Sequence, residues 1–115
     1  MKRLIAVNGQ LYTYISYDKN TDLHTVEDVD IDEDGILTAT GITWYLTDNE
    51  MQNRGIELTE KQWRGLIRQY IAYEYELSEE EMSQAVEDIL QAIFMRIPMV
   101  EELDRYVYFY MNRGN

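Results

Sequence analysis

The amino-acid sequence predicts an α+β fold, in which an N-terminal antiparallel β-sheet of about four strands (residues 1–46) packs with C-terminal α-helices (residues 47–115). Three observations lead there. Apolar residues in the first half recur with a period near two, the spacing of a strand with one buried face. In the second half they recur at three and four, behind Ser or Thr residues placed to cap helices. The strand-like runs all precede the helix-like runs, which argues against the alternating order of a parallel sheet. A chain of 115 residues with 45% hydrophobic composition fits a single domain.

Met1 to Val7 is apolar after Lys2 and Arg3, and Asn8-Gly9 is a strong signal for a two-residue hairpin turn. Leu11 to Tyr17 alternates, with Leu11, Thr13 and Ile15 on one side and Tyr12, Tyr14 and Ser16 on the other. Asp18 to Asp22 reads as a polar turn. A third strand over about His24–Ile31 and a fourth over about Ile36–Tyr45 are joined through Asp32-Glu33-Asp34-Gly35. Gly35 supplies the positive φ such a turn needs, and Gly41 marks a bulge or bend in the fourth strand.

Thr47 with Glu50 is a capping box that opens a short helix ended by Gly55. Thr59 with Gln62 opens a helix over about Glu60–Leu77, with Trp63, Leu66, Ile67, Tyr70 and Ile71 as its apolar stripe. Ser78 with Glu81 opens the next, whose inner face is Met82, Ala85, Val86, Ile89, Leu90, Ile93 and Ile97. Pro98 stops it and starts a third helix over about Met99–Asn112, with Leu103, Tyr106, Val107 and Tyr110 inside. The run Tyr106–Tyr110 also fits a strand, because its residues favour sheets.

Charge narrows the function. Ten Lys and Arg against 22 Asp and Glu give a net charge of −12, which repels nucleic acid and anionic membranes and attracts basic proteins. From Asn20 to Asn53 there are nine acids and no Lys or Arg, and from Gln69 to Met95 there are seven and again none. Arg64 and Arg68 read as helix-surface ion pairing rather than a nucleic-acid patch. Asp28, Asp30, Asp32 and Asp34 fall on every second position, with Val29 and Ile31 between them. On an extended strand those carboxylates would stand about 6.6 Å apart, comparable with successive phosphates of one nucleic-acid strand. Two readings follow: a surface for a basic partner, or charge on an edge strand that blocks edge-to-edge pairing. Nine of the ten tyrosines cluster at Tyr12–Tyr17, Tyr70–Tyr75 and Tyr106–Tyr110, and the set suits both a half-buried core margin and an interface.

Catalytic and metal chemistry find little support. Cysteine is absent and His24 is the single histidine, so thiol nucleophiles, disulfides and His-rich metal sites are excluded. Asp30 to Gly35 matches the first six positions of an EF-hand calcium loop, but position twelve, which needs a bidentate Glu, is Gly41. His24 has Asp22 nearby, yet neither Ser16 nor Thr25 sits in a nucleophile elbow, and no glycine-rich phosphate loop exists. The expectation is a protein without enzymatic activity, metal or cofactor. Neither a signal peptide nor a membrane span is visible, which points to the cytosol.

In its size, its lack of Cys and its acidic tracts Asp28–Asp34 and Glu74–Glu81, the chain resembles small acidic inhibitors made by bacteriophages and mobile elements, the anti-CRISPR and anti-restriction proteins. The resemblance implies a nucleic-acid mimic in the cytoplasm of a bacterial host. Its carboxylates would stand in for phosphates and fill the DNA site of a basic nuclease or other nucleic-acid-handling effector. The residues expected to meet that partner are Asp28, Asp30, Asp32, Glu33, Asp34, Tyr73, Glu74 and Glu76. The alternative is a non-enzymatic phage structural or assembly factor, a homo-oligomer joined through an apolar helical face near Met95, Met99 and Met111. A third reading, a calcium-responsive module, rests on Asp30–Gly35 alone.

Overall fold

Asn8 and Gly9 both take positive φ, 53° and 78°, the twist a two-residue hairpin requires, and join β1 (Leu4–Val7) to β2 (Gln10–Asp18). In the computed structural model, which describes residues 3–95 and 99–113, β3 (Leu23–Ile31) and β4 (Leu37–Thr47) complete one antiparallel sheet. Its order is β1-β2-β3-β4. Helices follow the strands in the chain, so the fold is α+β, as the sequence predicts.

Two irregularities interrupt the alternation. Between β2 and β3, Tyr14 pairs with Val26 but Ser16 pairs with Thr25, so Ile15 is an extra residue. One inserted residue reverses the parity of everything beyond it. Tyr17, not Ser16, therefore continues the face of Tyr12 and Tyr14, and the rings of Tyr14 and Tyr17 both meet His24. Between β3 and β4, Glu27 pairs with Thr43 while Val29 pairs with Ala39. Gly41, at φ 82°, lies in the surplus segment and is the expected bulge.

Both faces of β1 are covered. Leu4 and Ala6 join Leu11 and Val29 against the main helices, whereas Ile5 and Val7 join Val26, Leu46 and Met51 in a second cluster. Met51 belongs to α1 (Asp48–Met51), so this short helix lies on the sheet face opposite the others. The three capping boxes are all reciprocal: Thr47 with Glu50, Thr59 with Gln62, and Ser78 with Glu81. They open α1, α2 (Glu60–Glu74) and α3 (Glu79–Phe94). Trp63, Leu66, Ile67, Tyr70 and Ile71 of α2 face Met82, Ala85, Val86, Ile89, Leu90 and Ile93 of α3 in one buried cluster.

The first long helix is shorter than its periodicity suggests. It ends at Glu74 rather than Leu77, and Tyr75 is extended, because the chain must reverse before Ser78 can cap α3. Val100–Glu102 forms a 3₁₀ turn leading into α4 (Leu103–Asn112). The strand alternative for Tyr106–Tyr110 is thereby ruled out. Leu103 and Val107 are buried and Tyr106 and Tyr110 pack beside them, while Tyr108 and Phe109 are exposed, a recurrence at three and four that fits a helix and not the alternation of a strand. Met1, Lys2, Ile97 and Pro98, which the sequence reading used to begin the first strand and to end the second long helix, lie outside the described residues. No described helix is long and apolar enough to cross a membrane.

Candidate protein-binding surface

The acidic row begins on β3 and does not stay extended. Asp28 and Asp30 lie on the strand, but β3 ends at Ile31, and Asp32 to Gly35 fold into the turn before β4. The expected four-carboxylate comb is therefore broken after Asp30. Asp32 causes the break: its Oδ1 accepts from the N–H groups of Asp34 and Ile36, both at 2.9 Å, a hydrogen-bonding pattern that curls the chain. Val29 is buried and Ile31 packs against the helix-side core, as their alternation requires. The edge-protection reading of the row is also corrected. β3 lies between β2 and β4, so its charges defend no edge.

Each acid of this tract has a distinct setting. Asp28 is half-buried and accepts from the Thr40 hydroxyl at 3.1 Å. Asp34 pairs with Lys61 at 2.7 Å. That contact raises the Lys61 ammonium above its ordinary value, chiefly through the hydrogen bond to Asp34. Asp30 and Glu33 are exposed and take part in no ion pair or side-chain hydrogen bond among the described residues.

Helix α2 holds the turn in place. Gly35, at φ 82°, meets Gly65 backbone to backbone, and a Cβ on Gly65 would overlap the Asp34 carbonyl and stand 2.9 Å from the Gly35 Cα. Around this contact, Gln62 Nε2 donates to the Asp32 carbonyl at 3.1 Å and Gln69 Nε2 to the Gly35 carbonyl at 2.5 Å. The Leu37 N–H returns a bond to Gln69 Oε1 at 3.1 Å. Gln62, Gly65 and Gln69 are three or four apart and share one helix face. Sequence reasoning named Gln62 only as the capping partner of Thr59 and did not single out Gly65 or Gln69. The available signal was Gly65 itself, a glycine inside a strong helical stripe, which commonly marks close packing.

The second acidic tract stands apart from the first. Tyr73 (67% exposed) and Glu74 close α2, and Glu76 lies in the link that follows. Lys61 and Glu74 are thirteen positions apart on the helix, about 20 Å along the axis. The eight expected partner-binding residues thus divide three ways. Asp32, Glu33 and Asp34 sit in the turn against the first half of α2, and Tyr73, Glu74 and Glu76 at its end. Asp28 and Asp30, which alternate with the helix-side Val29 and Ile31, lie on the other face of the sheet. Nearby acids are already engaged. Arg64 binds Glu60 at 2.9 Å and Glu87 at 2.7 Å, and Arg68 binds Glu79 at 2.6 Å. Both arginines are thus tied to acids on the helix surface, as their spacing suggests. Arg64 holds the Glu87 carboxyl below its usual range, and the Tyr110 hydroxyl, at 2.7 Å, does the same to Asp88.

A third acidic group gathers at the far end of β4. The sequence places Asp22 beside His24, but the structure gives His24 another carboxylate. His24 Nε2 contacts Asp48 Oδ1 at 2.5 Å, and Nδ1 contacts the Tyr14 hydroxyl at 2.7 Å, which ties α1 to the sheet. Asp22 instead accepts from the Tyr17 hydroxyl at 2.5 Å, pushing the phenol up to about 12. Among the described residues, no group of three or more His, Asp or Glu is arranged to hold a metal ion.

No protein-family model, curated protein or solved structure matches this chain. The functional reading accordingly stands on geometry and charge alone.

Proposed function

We propose that the chain is a non-enzymatic, acidic protein-binding inhibitor. It occupies the nucleic-acid-binding site of a basic effector, a nuclease or effector complex of bacterial defence, and works in the cytoplasm of the host cell. The observation that supports this most is the anchored turn. Asp32 to Gly35 is fixed to α2 by the Gly35–Gly65 contact and by Gln62, Gln69 and Lys61, directly after Asp30 on β3, and Asp30 and Glu33 stay open to solvent. A preorganised anionic surface loses little entropy on meeting a basic channel and speeds encounter through its field. A more mobile acidic tail would serve solubility equally well. Rigid carboxylates suit recognition.

The test replaces Asp28, Asp30, Asp32 and Asp34 together by Asn. Asn at 28 and 32 keeps an oxygen for the Thr40 hydroxyl and for the turn N–H groups, and Asp34→Asn forfeits only an exposed ion pair with Lys61, so folding stability should stay within about 1 kcal/mol of the parent. The parent, used as bait in bacterial lysate across a salt series, should capture a basic nucleic-acid-binding protein that DNA competes away. The fourfold Asn variant should bind that protein about 100-fold or more weakly, because charge-assisted contacts and steering are lost together. Undiminished capture, or capture that DNA does not contest, would overturn the inhibitor reading.

One observation favours the assembly-factor alternative. Phe94, Met95 (82% exposed), Met99 and Phe109 all leave apolar surface uncovered near the ends of α3 and α4. Met111, expected to share that face, instead packs against the core. A concentration-dependent oligomer in sedimentation, lost in Met95→Lys, would favour that alternative.

A further inference from the structure

Among the described residues, strand β4 has a neighbouring strand on one side only, and its sequence makes it an unusual outer edge. From Ile36 to Thr47 there is no Asp, Glu, Lys, Arg or Pro, so every device of charge or proline that normally discourages strand addition is missing. Beyond the Gly41 bulge, Thr43 to Thr47 pair with Glu27 to Leu23 in unbroken register, leaving a regular ladder open on the other side as far as Thr47, whose N–H is taken by Glu50 Oε1 at 3.0 Å. Side chains there are large and uncovered: Ile42 is 50% exposed, Trp44 48% and Tyr45 63%. Trp44 pairs with Val26, on the α1 side of the sheet, and Tyr45 pairs with Thr25, so the two rings flank the edge on opposite faces.

The charges at the ends of β4 decide what fits. The strand starts beside Asp30 and the Asp32–Asp34 turn, and it finishes at Asp48, with Asp22 preceding the partner of Thr47. A second copy pairing antiparallel along the whole of β4, with Leu37 opposite Thr47, would set the Asp32–Asp34 turn of each molecule against Asp48 and Glu50 of the other. Like charges opposed in this way disfavour the pair. An extended segment with Lys or Arg at both ends and an apolar β-branched centre has the complementary pattern. Its backbone would continue the ladder, its centre would lie between Trp44 and Tyr45, and its cations would reach the two acidic ends.

We propose that the outer edge of β4, chiefly Thr43 to Thr47, is a strand-addition site for a basic extended segment of the partner protein. The inference deepens the inhibitor reading and rests on it for the partner's positive charge. It adds that recognition combines main-chain pairing with the carboxylates, which gives specificity that a field alone lacks.

The probe is the acetylated peptide Lys-Arg-Val-Thr-Val-Thr-Val-Arg-Lys, titrated to millimolar concentration into the isotope-labelled chain and followed by amide NMR. The expected result is saturable shifts and slowed amide exchange along Thr43–Thr47, weakened about tenfold or more at high salt as charges are screened. The same peptide with Glu for every Lys and Arg should leave these signals unmoved, and Tyr45→Lys should abolish the response to the basic peptide. Shifts centred on α3 or α4, equal binding of the acidic peptide, a self-associated dimer through β4, or no saturable response would each overturn the docking edge. Lysate capture separates this result from the broader reading. A silent β4 with salt-sensitive, DNA-contested capture intact removes the docking edge alone. A responsive β4 with no such capture removes the inhibitor reading alone.

Discussion

The two outer strands of the sheet are finished in opposite ways. β1 is four residues long and wholly buried, and its outer side is closed by other parts of the chain. Val7 bridges to Arg54, Asn8 N–H reaches the Asn53 carbonyl at 2.9 Å, and Gly55 N–H reaches the Ala6 carbonyl at 3.3 Å. Glu101 completes the seal: its Oε1 accepts from Ala6 N–H at 3.0 Å and lies 3.6 Å from Arg54. β4 is eleven residues long and mostly exposed, and among the described residues side chains meet its backbone N–H groups at Leu37 (Gln69), Ile42 (Thr40) and Thr47 (Glu50). A buried N–H without a partner is costly, whereas one facing water is not. The closed edge is thus a requirement of the core, and the open edge is a surface left available.

The largest expected effect breaks the support under the open edge. In Gly65→Ala the new methyl meets the Asp34 carbonyl, and α2 must move off the turn that launches β4. Overpacking of this kind costs about 3 kcal/mol or more, and alanine's better helix propensity returns only about 1 kcal/mol. Urea unfolding should therefore show a net loss of about 2 kcal/mol or more. A stabilised Gly65→Ala protein would mean that the turn does not sit on the helix. Next comes the closed edge. Glu101→Ala removes the acceptor of a buried N–H and the partner of Arg54, at a cost of about 1 to 2 kcal/mol. Amide exchange should also quicken at Ala6, and unchanged protection there would show that the seal lies elsewhere. The smallest effect belongs to the surface of β4. Tyr45→Lys should alter stability by about 0.5 kcal/mol or less, as at other exposed positions. A large loss in thermal melts would show that β4 is already covered in the isolated protein.

Local chemistry was readable because its partners are close in the chain. Each capping box joins residues three apart, each apolar stripe repeats within a turn, and Asn8-Gly9 encodes its own hairpin. The expected candidate acids were readable as a composition but not as an arrangement. Asp28, Asp30, Asp32 and Asp34 alternate in the sequence, yet the hydrogen bonds from Asp34 and Ile36 to Asp32 end the strand within the row. Tyr17 changed faces for a similar reason, since a bulge at Ile15 is invisible to a period-two pattern.

By itself the sequence determined the α+β order, the inner faces of α2 and α3, the positions of the helix starts and the excess of acid over base. Those depend on periodicity, caps and counts, which short-range sterics and burial translate directly into structure. Only the tertiary structure decided that β3 is interior and β4 is the open edge, that Gly65 lies against Gly35, that Asp48 rather than Asp22 meets His24, and that the acids divide among the ends of α2 and β4. These relations join residues about 20 to 50 positions apart. They arise from how the sheet packs on the helices, a long-range compromise that no local pattern records.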